Sequence, residues 1–395
     1  MAIRTLSAAV AIGASLLATS LLTVPPEALA APRLDVTALS RGLEIPWGVA
    51  VAPDGTALVT QRAGPFVAVH ANGRTQVMRA DLSKLFAVKE AGLMGVTLDT
   101  GFADNRRAYT CQAEYTRPGA PTIPMGSSDL PVPWPNTGQE IKIVAWKVAD
   151  DWTGLTRERT VLSGIPTNAS GRHAGCGIAA WGSTLWISTG DNVSPGGAQN
   201  PATFEGKVLH INLDGTPAAG NPNPASPVYT MGHRNPQDVA VRPETGQVYV
   251  IEHGTDKDDE LNLLRAGGNY GYSPNRAPLI YDESVPMTDP DRVPGAIFPV
   301  WRTGNSTLAT AALAFLPRSG WGRFSGGLVV STLKGKRLVF MRLSPDGRHV
   351  VETAEALKDS EGRLRGLAVT PDGALLVTTS NGEHADKVLR VRWTG

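Results

Sequence analysis

The chain has 395 residues, a formal net charge of +1 at pH 7 and only 18% charged residues. Because this balance is nearly neutral and no basic run is interleaved with aromatic residues, we expect neither nucleic acid nor an acidic membrane surface as a partner. The 43 glycines and 30 prolines favour many short strands joined by tight turns over a helical fold.

The first 30 residues have the order of a secretory signal peptide. Arg4 is followed by an uncharged, mostly apolar run over residues 6–24, and then by small residues that end at Ala30. We therefore predict cleavage near Ala30 and a secreted or periplasmic mature protein. A membrane anchor is the alternative, but the apolar run is short and rich in alanine. Because no second apolar run follows, we expect no membrane span in the mature protein.

Export also bears on the two cysteines of the chain. Cys111 and Cys176 both lie in the predicted mature protein. In an oxidising compartment we expect them to form a disulfide. Such a bridge would close a loop of about 65 residues and contribute roughly 4 kcal/mol to stability in the chain-entropy model. Two buried thiols are the alternative.

A strand–turn–strand module recurs along the chain. Residues 47–60 and 366–378 both contain a Pro-Asp-Gly turn between two apolar segments. Proline presets the first dihedral angle of such a turn and glycine adopts the left-handed one, so each copy is predicted to be a β-hairpin. Looser copies cover residues 92–114, 177–188, 237–252 and 311–333. About six copies predict an all-β fold, a single β-propeller domain over residues 31–395, with a pair of β-sandwiches as the alternative.

Residues 229–272 collect many hydrogen-bonding groups next to residues that stiffen the chain. The segment Gly232-His233-Arg234-Asn235-Pro236-Gln237 is followed by Glu252-His253-Gly254, an acidic cluster and a second glycine turn. We predict that this stretch forms one wall of a polar pocket. The long connections at residues 117–139 and 274–292 carry proline and polar residues without periodicity. In a propeller they would add walls on the same face.

One histidine outside that stretch is a candidate base. His173 lies among small residues directly before a predicted strand, and Asp191 follows the strand that pairs with it. A histidine there can reach into a pocket and act as a base near neutral pH, oriented by Asp191. A lone histidine is more often structural, and both interpretations remain open on these residues alone.

Cations cluster late in the chain at Lys334, Arg363 and Arg365. Arginines two apart on a strand point to the same face. With Lys334 they could hold a multiply anionic ligand. A solvated strand edge is the alternative.

Six motifs occur in one order along nearly the whole mature chain. They are Gly92-Leu93-Met94-Gly95, Gly206-Lys207-Val208-Leu209, Gly232-His233-Arg234-Asn235-Pro236-Gln237, Asp259-Glu260-Leu261-Asn262, Gly268-Asn269-Tyr270-Gly271 and Gly362-Arg363-Leu364-Arg365. Together they resemble the soluble PQQ-dependent aldose sugar dehydrogenases, the glucose/sorbosone dehydrogenase family. The resemblance implies a six-bladed propeller of four-stranded antiparallel blades that holds pyrroloquinoline quinone (PQQ) and calcium. It further implies oxidation of aldoses to lactones, with electrons passed to an external acceptor.

The resemblance also assigns roles by motif position. It implies that His173 is the base for the anomeric hydroxyl, that Asp191 assists it, and that Arg234 lies against the quinone oxygen that becomes negative as hydride arrives. The backbone carbonyls of Gly254 and Thr255 would hold the calcium. The further cofactor contacts implied are Asn235, Gln237, Lys334, Arg363, Arg365 and Glu90.

Some positions depart from the family pattern. Arg172 stands where the glucose enzyme has an acid, and a cation there would lower the pKa of the His173 imidazole and lessen its dependence on Asp191. The family's second, structural calcium has no clear match, and the carboxylates around Asp282 and Glu283 are the candidates. Two other functions compete with sugar oxidation: a calcium-dependent propeller lactonase that uses carboxylates and water, and a non-catalytic propeller that binds carbohydrate or protein.

Overall fold

A computed structural model describes residues 31–117, 138–277 and 280–395. The predicted signal peptide and most of the connection at residues 117–139 lie outside the described residues. From residue 31 onward the chain forms one compact unit. The first strand, β1 (Leu34–Leu43), belongs to the last blade of the fold.

Blades 1 to 3 follow one another along the chain, each a four-stranded antiparallel sheet in sequence order. Blade 1 consists of β2 (Pro46–Val51), β3 (Ala57–Gln61), β4 (Phe66–Val69) and β5 (Thr75–Met78). Blade 2 consists of β6 (Leu93–Leu98), β7 (Arg107–Tyr115), β8 (Gln139–Val148) and β9 (Leu155–Pro166), with the short helix α1 (Phe102–Asn105) between its first two strands. Blade 3 consists of β10 (Gly175–Trp181), β11 (Thr184–Thr189), β12 (Lys207–Asn212) and β13 (Val228–Met231), with a 3-10 turn at Gly197–Gln199.

Blades 4 to 6 complete the ring. Blade 4 contains β14 (Pro236–Val241), β15 (Val248–Glu252) and β16 (Glu260–Leu263), then a separate hairpin of β17 (Asn275–Ala277) and β18 (Ile280–Tyr281), and last its outer strand β19 (Trp301–Arg302). Blade 5 consists of β20 (Thr310–Phe315), β21 (Leu328–Thr332), β22 (Leu338–Leu343) and β23 (Val350–Ala356), with a 3-10 turn at Gly322–Phe324. Blade 6 consists of β24 (Leu364–Val369), β25 (Leu375–Thr379), β26 (Asp386–Trp393) and β1.

The ring is closed by pairing the two ends of the described chain. Strand β1 runs antiparallel to β26, with Leu34 opposite Trp393 and Leu43 opposite Asp386. The first strand therefore supplies the outer strand of the last blade, and this pairing closes the ring of blades. The prediction of an all-β, six-bladed propeller with four-stranded antiparallel blades is confirmed.

Side-chain hydroxyls join neighbouring blades close to the axis. In blade 1, Thr60 accepts a hydrogen bond from the amide of Gly48 (2.8 Å) and donates one to the carbonyl of Met94 in the next inner strand (2.6 Å). The same position in blades 3, 5 and 6 is occupied by a hydroxyl that donates to a carbonyl of the following blade; these residues are Ser188, Ser331 and Thr378. Each such bond reaches a backbone carbonyl where the register of an inner strand shifts.

A disulfide replaces the hydroxyl between blades 2 and 3. The break in the β6–β7 register leaves Cys111 at the level at which Thr60 stands in blade 1. Cys111 is bonded to Cys176 on the inner strand of blade 3, so the predicted disulfide is confirmed. The bridge ties blade 2 to a strand that begins two residues after His173.

The inner strands approach one another so closely that some positions admit no side chain. A Cβ added to Gly95 would lie 2.4 Å from the carbonyl oxygen of Cys176, and one added to Gly177 would lie 2.4 Å from the Cα of Asp238. Glycine at both positions is therefore required by packing rather than by turn geometry.

The six inner strands surround an axial cavity of about 540 Å³, and Gln237 and Arg365 are among its lining residues. Outside this cavity, apolar side chains of adjacent sheets pack face to face, as where Phe66 of blade 1 meets Trp146 of blade 2 with ring centroids 5.4 Å apart. Within the described part of the chain, no helix has the length and apolar character needed to span a membrane.

Candidate active site

A polar pocket of about 270 Å³ lies where the loops at the starts of several inner strands meet. Three of these loops precede β6, β10 and β14, and a fourth follows β15. The pocket is lined by Lys89, Glu90, Arg172, His173, Arg234, Asn235, His253, Gly254 and Thr255. The structure thus brings together six of the predicted site residues, and the stretch at residues 229–272 forms one wall, as the sequence predicted.

His173 is held as a base would be. Its Nδ1 lies 2.8 Å from Oδ1 of Asp191, and both side chains are buried. A carboxylate can only accept, so Nδ1 carries the proton and Nε2 of the neutral ring is left as an acceptor. The predicted partnership with Asp191 is present in the structure.

The backbone around this pair is tightly constrained. His173 has a φ of 51°, in the left-handed region, and a Cβ at Gly190 would lie 1.9 Å from the His173 carbonyl oxygen. Asp191 donates its backbone amide to the carbonyl of Arg234 (2.7 Å), and its carboxylate accepts from the amide of Val193 (3.0 Å). These contacts fix the carboxylate before any ligand arrives.

Two tyrosines that sequence reasoning missed complete this corner. The hydroxyl of Tyr281 donates to Oδ2 of Asp191 (2.6 Å) and lies 3.2 Å from Nδ1 of His173. Tyr272 places its hydroxyl 3.0 Å from that of Tyr281. Burial and the nearby Asp191 carboxylate raise the pKa of Tyr281 well above its usual value, so it remains a hydrogen-bond donor.

Arg234 lies on the other side of the pocket and is almost fully buried. Its Nη1 donates to the carbonyls of Gly254 (3.0 Å) and His253 (3.3 Å), while its buried Nε has no hydrogen-bond partner among the described residues. Its backbone amide donates to Oε2 of Glu252 (2.9 Å). Burial lowers the pKa of Arg234, but the surrounding tyrosines and carboxylates outweigh this effect and raise it above the usual value.

Glu90 links several predicted cofactor contacts. Its carboxylate accepts from Asn235 Nδ2 (2.9 Å) and from the amide of Ala174 (3.0 Å), and lies 3.5 Å from Nε2 of Gln237. Burial would raise the pKa of Glu90, but His173 and its other neighbours lower it below the usual value. Glu90 is therefore an ionised carboxylate on the floor of the site.

The predicted cation cluster is only partly assembled. Arg365 is buried, its guanidinium stacks on Trp47 (3.6 Å to the ring centroid), and its Nε donates to Ser380 Oγ (3.2 Å). Burial lowers the pKa of Arg365, Glu90 counteracts this, and Arg363 lowers it further. Arg363 is exposed and precedes β24. Lys334 is also exposed, and its ammonium group contacts none of these side chains within the described residues.

Gly254 and Thr255, the residues expected to hold calcium, both line the pocket. The carbonyl of Gly254 already accepts from Arg234, and its amide donates to Asp259 Oδ1 (2.9 Å). Across the described ranges, no group of three or more His, Cys, Asp or Glu side chains is arranged to hold a metal ion. The protein alone therefore offers carbonyl oxygens rather than a carboxylate cage.

The long connection at residues 274–292 contributes Glu283, which the sequence suggested only as a candidate ligand for a second calcium. Its Oε1 lies 2.5 Å from Nη2 of Arg172, 3.8 Å from Nη2 of Arg234 and 3.9 Å from Nε2 of His173. Arg172 therefore faces a carboxylate of its own rather than acting on His173 as an isolated cation. No sequence signal placed Glu283 or Tyr281 beside His173, since both lie in a segment without periodicity.

Comparison with known proteins agrees with these features. The sequence profile of the family described as Glucose / Sorbosone dehydrogenase matches residues 43–390. The aldose sugar dehydrogenase YliI of Escherichia coli K12 is 27% identical over 366 residues, which cover 91% of this chain and 92% of that protein.

Solved structures share the fold over the same span. The PQQ-bound aldose sugar dehydrogenase of Streptomyces coelicolor is 27% identical, with a TM-score of 0.72 and coverage of 92% of this chain and 99% of that one. The apo-form of the soluble aldose sugar dehydrogenase from Escherichia coli superposes with a TM-score of 0.75 at 24% identity, covering 92% of this chain and all of that one. Since the profile match alone covers most of its length, this chain belongs to the glucose/sorbosone dehydrogenase family of oxidoreductases.

Proposed function

We propose that this protein oxidises the anomeric C–OH of aldose sugars to lactones, with PQQ as the hydride acceptor and an external acceptor that takes the electrons onward. The observation that carries the proposal is the arrangement of the buried His173–Asp191 pair and buried Arg234 around one polar pocket. A base and a fixed positive charge beside one pocket are what removal of a proton and a hydride from one C–OH group requires.

The charges of the chain fit a flat, multiply anionic quinone. Arg365 is a buried guanidinium stacked on an aromatic ring, and Arg62 and Arg363 are near enough to lower its pKa further. Arg234 retains a buried Nε without a partner among the described residues. A buried donor without a partner, beside a buried positive charge, favours an anion with fixed oxygens. Asn235, Gln237, Arg363 and Arg365 would hold PQQ, with Lys334 reaching it from the exposed loop between β21 and β22.

When bound, the quinone supplies a two-electron hydride acceptor, and calcium supplies a Lewis acid beside it. Calcium would bind the carbonyl oxygens of Gly254 and Thr255. Because calcium takes six to eight oxygen ligands, the quinone and water would supply the others. A carbonyl oxygen has two lone pairs, so the contact of Gly254 with Arg234 leaves one for a metal ion.

His173 performs the proton transfer in this proposal. Its Nε2 accepts the proton of the anomeric hydroxyl as the C–H bond gives up its hydride. Asp191 stabilises the imidazolium that results, and the Tyr281 hydroxyl holds Asp191 in place through Oδ2. Arg234 presents a buried positive charge where negative charge develops on an oxygen in the pocket.

We further propose that residues 1–30 direct export of the protein and are removed. The Cys111–Cys176 bridge supports this proposal because disulfides persist in oxidising compartments. Amino-terminal sequencing of the secreted or periplasmic protein should give a mature chain that begins close to residue 31.

Reconstitution tests the activity. Purified cofactor-free protein should acquire a quinone absorbance when PQQ and calcium are added, and should then reduce a dye in the presence of aldoses. Omitting calcium or PQQ is the control. A quinone absorbance without sugar-dependent dye reduction over a broad aldose panel would refute the proposal. Lactone hydrolysis without added quinone would identify a lactonase instead, and sugar binding without either reaction would identify a binding propeller.

A further inference from the structure

Glu283 is a charged group beside the pocket residues His173 and Arg234, and the proposed mechanism does not use it. Its Oε1 lies 3.9 Å from Nε2 of His173, the atom that would take the proton, and 3.8 Å from Nη2 of Arg234. Neither distance is a hydrogen bond, so a gap separates the carboxylate from both groups. A ligand oxygen that binds Nε2 must therefore come close to Glu283.

The position of this carboxylate is fixed from two directions. Tyr281, two residues earlier, is anchored to Asp191, and the amide of Asp282 donates to the carbonyl of Pro274 (3.0 Å). From the other direction, Arg172 donates a short hydrogen bond to Oε1 of Glu283 (2.5 Å). The segment thus brings Tyr281 to Nδ1 of the imidazole and Glu283 to its reactive edge.

Glu283 acts here as a hydrogen-bond acceptor. Burial would raise the pKa of Glu283, but His173 in its protonated form, Arg234 and Arg172 lower it below the usual value. The carboxylate is therefore ionised at neutral pH and can accept but not donate. Nε2 of neutral His173 is likewise an acceptor, so the pocket presents two acceptors 3.9 Å apart.

Two acceptors at that spacing suit two neighbouring hydroxyl groups. Oxygens of a vicinal diol lie side by side, and each can donate one hydrogen bond of about 2.7–2.8 Å to a separate acceptor. We propose that Glu283 accepts a hydrogen bond from the hydroxyl on the carbon next to the oxidised one, and so selects aldoses with a free 2-hydroxyl over 2-deoxy sugars. Glu283 takes no proton in the reaction and only positions the substrate. This inference rests on the proposed function.

Paired substrates test this role. With the PQQ- and calcium-loaded protein, kcat/KM should be about 10–100-fold higher for D-glucose than for 2-deoxy-D-glucose, the range expected when a charged acceptor loses its hydroxyl partner. In Glu283→Ala this ratio should fall to within about threefold of unity through loss of activity on D-glucose alone. Glu283→Gln, which keeps an acceptor oxygen, should retain part of the preference.

The control is Ser284→Ala, on the same segment. Ser284 is exposed, and its hydroxyl donates to Oδ1 of Asp282 rather than into the pocket. This variant should keep the wild-type ratio. An unchanged ratio of the two kcat/KM values in Glu283→Ala would overturn the proposal. An equal rise in activity on both sugars would also overturn it, because it would show that Glu283 only obstructs the pocket.

A binding measurement separates this proposal from the proposed function. Titration calorimetry of protein loaded with calcium and pre-reduced PQQ, which cannot accept a hydride, should show tighter binding of D-glucose than of 2-deoxy-D-glucose, and the difference should disappear in Glu283→Ala. Equal affinities in the wild type, or no binding of either sugar, would overturn the role of Glu283. Selective binding without turnover would instead leave Glu283 as a sugar contact and refute the dehydrogenase.

Discussion

Two histidine–carboxylate pairs in this molecule have nearly the same geometry and opposite surroundings. His173 places Nδ1 2.8 Å from Asp191, and His233 places Nδ1 2.9 Å from Glu252. At His233 the second nitrogen is also bonded, to Thr230 Oγ1 at 2.9 Å, and the ring is stacked on Tyr270. His173 instead lines the pocket, and its Nε2 lies 3.9 Å from the Glu283 carboxylate, beyond hydrogen-bond distance.

The difference shows that the second nitrogen, rather than the carboxylate, decides what a buried histidine does. A ring with both nitrogens bonded is a structural cross-link. A ring with one nitrogen open to a pocket can exchange a proton. Arg234 connects the two pairs, since its amide donates to Glu252 and its carbonyl accepts from the amide of Asp191. Glu252 of the structural pair thus positions Arg234, the residue proposed to act opposite His173.

The largest effect is expected from His173→Asn. Asparagine tolerates the left-handed backbone that His173 adopts but cannot act as a base, so kcat of the loaded enzyme should fall about 10²–10⁴-fold. The Tm and the affinity for PQQ should remain close to wild type. Steady-state kinetics with D-glucose and a quinone titration provide the measurements. A loss of less than tenfold would assign the base to another residue.

Arg234→Gln should have the next largest effect. Removing the buried positive charge beside the pocket should lower kcat about 10²–10³-fold, as for other groups that stabilise developing negative charge. Arg234→Lys is the matched control, because it keeps the charge but loses the fork that reaches the carbonyls of Gly254 and His253. If both variants lose activity equally, geometry rather than charge is what Arg234 contributes.

Much of the fold was predictable because its signals are local. The turn at residues 53–55 and its copy at 371–373 fix dihedral angles within a few residues, and Gly55 and Gly373 both have a φ of 81°, as such turns require. His173 and Asp191 were also predictable as a pair. They stand at the two ends of one hairpin, so strand pairing alone brings them together.

The parts of the site that the sequence did not predict depend on tertiary contacts that no local pattern encodes. Tyr281 reaches His173 across 108 residues, from a connection without periodicity. The arginine pair shows a different failure. Residues two apart were expected to share a strand face, but Arg363 precedes β24, and a register shift follows Leu364. Arg365 is therefore buried against Trp47, while Arg363 stays exposed.

His233→Phe should affect stability rather than chemistry. Phenylalanine keeps the stacking on Tyr270 but removes the hydrogen bonds to Thr230 and Glu252, which leaves a buried carboxylate short of a donor. The free energy of unfolding should fall by about 2–4 kcal/mol. Urea unfolding measures this change, and kcat of the folded, loaded variant should stay within about tenfold of wild type. A loss of kcat as large as that of His173→Asn would erase the distinction between the two pairs.

The smallest effect is expected from a carboxylate that lacks any histidine partner. Asp238 lines the axial cavity and accepts from the amides of Leu313 (3.1 Å) and Val239 (2.9 Å). Burial raises the pKa of Asp238 to about 7, and these two hydrogen bonds only partly oppose the shift. The folded state therefore binds this proton more tightly than the unfolded state, in which the pKa is about 3.9. The resulting stabilisation is fully present below about pH 4 and is lost as the pH rises to about 7.

Asp238→Asn should remove this pH dependence. In the wild type, protonation of Asp238 should make the protein more stable at pH 5 than at pH 8. The Asp238→Asn variant should lack this difference. Each 1 kcal/mol that the proton contributes should correspond to roughly 2 °C in Tm. Asp99→Asn is the matched control in the same cavity. Burial would raise the pKa of Asp99, but its hydrogen bonds and Arg107 lower it below the usual value. The stabilisation from Asp99 is lost only as the pH falls below about 4, so Asp99→Asn should shift the Tm equally at pH 5 and pH 8. A wild-type pH dependence in Asp238→Asn would show that Asp238 is solvated and ionised throughout.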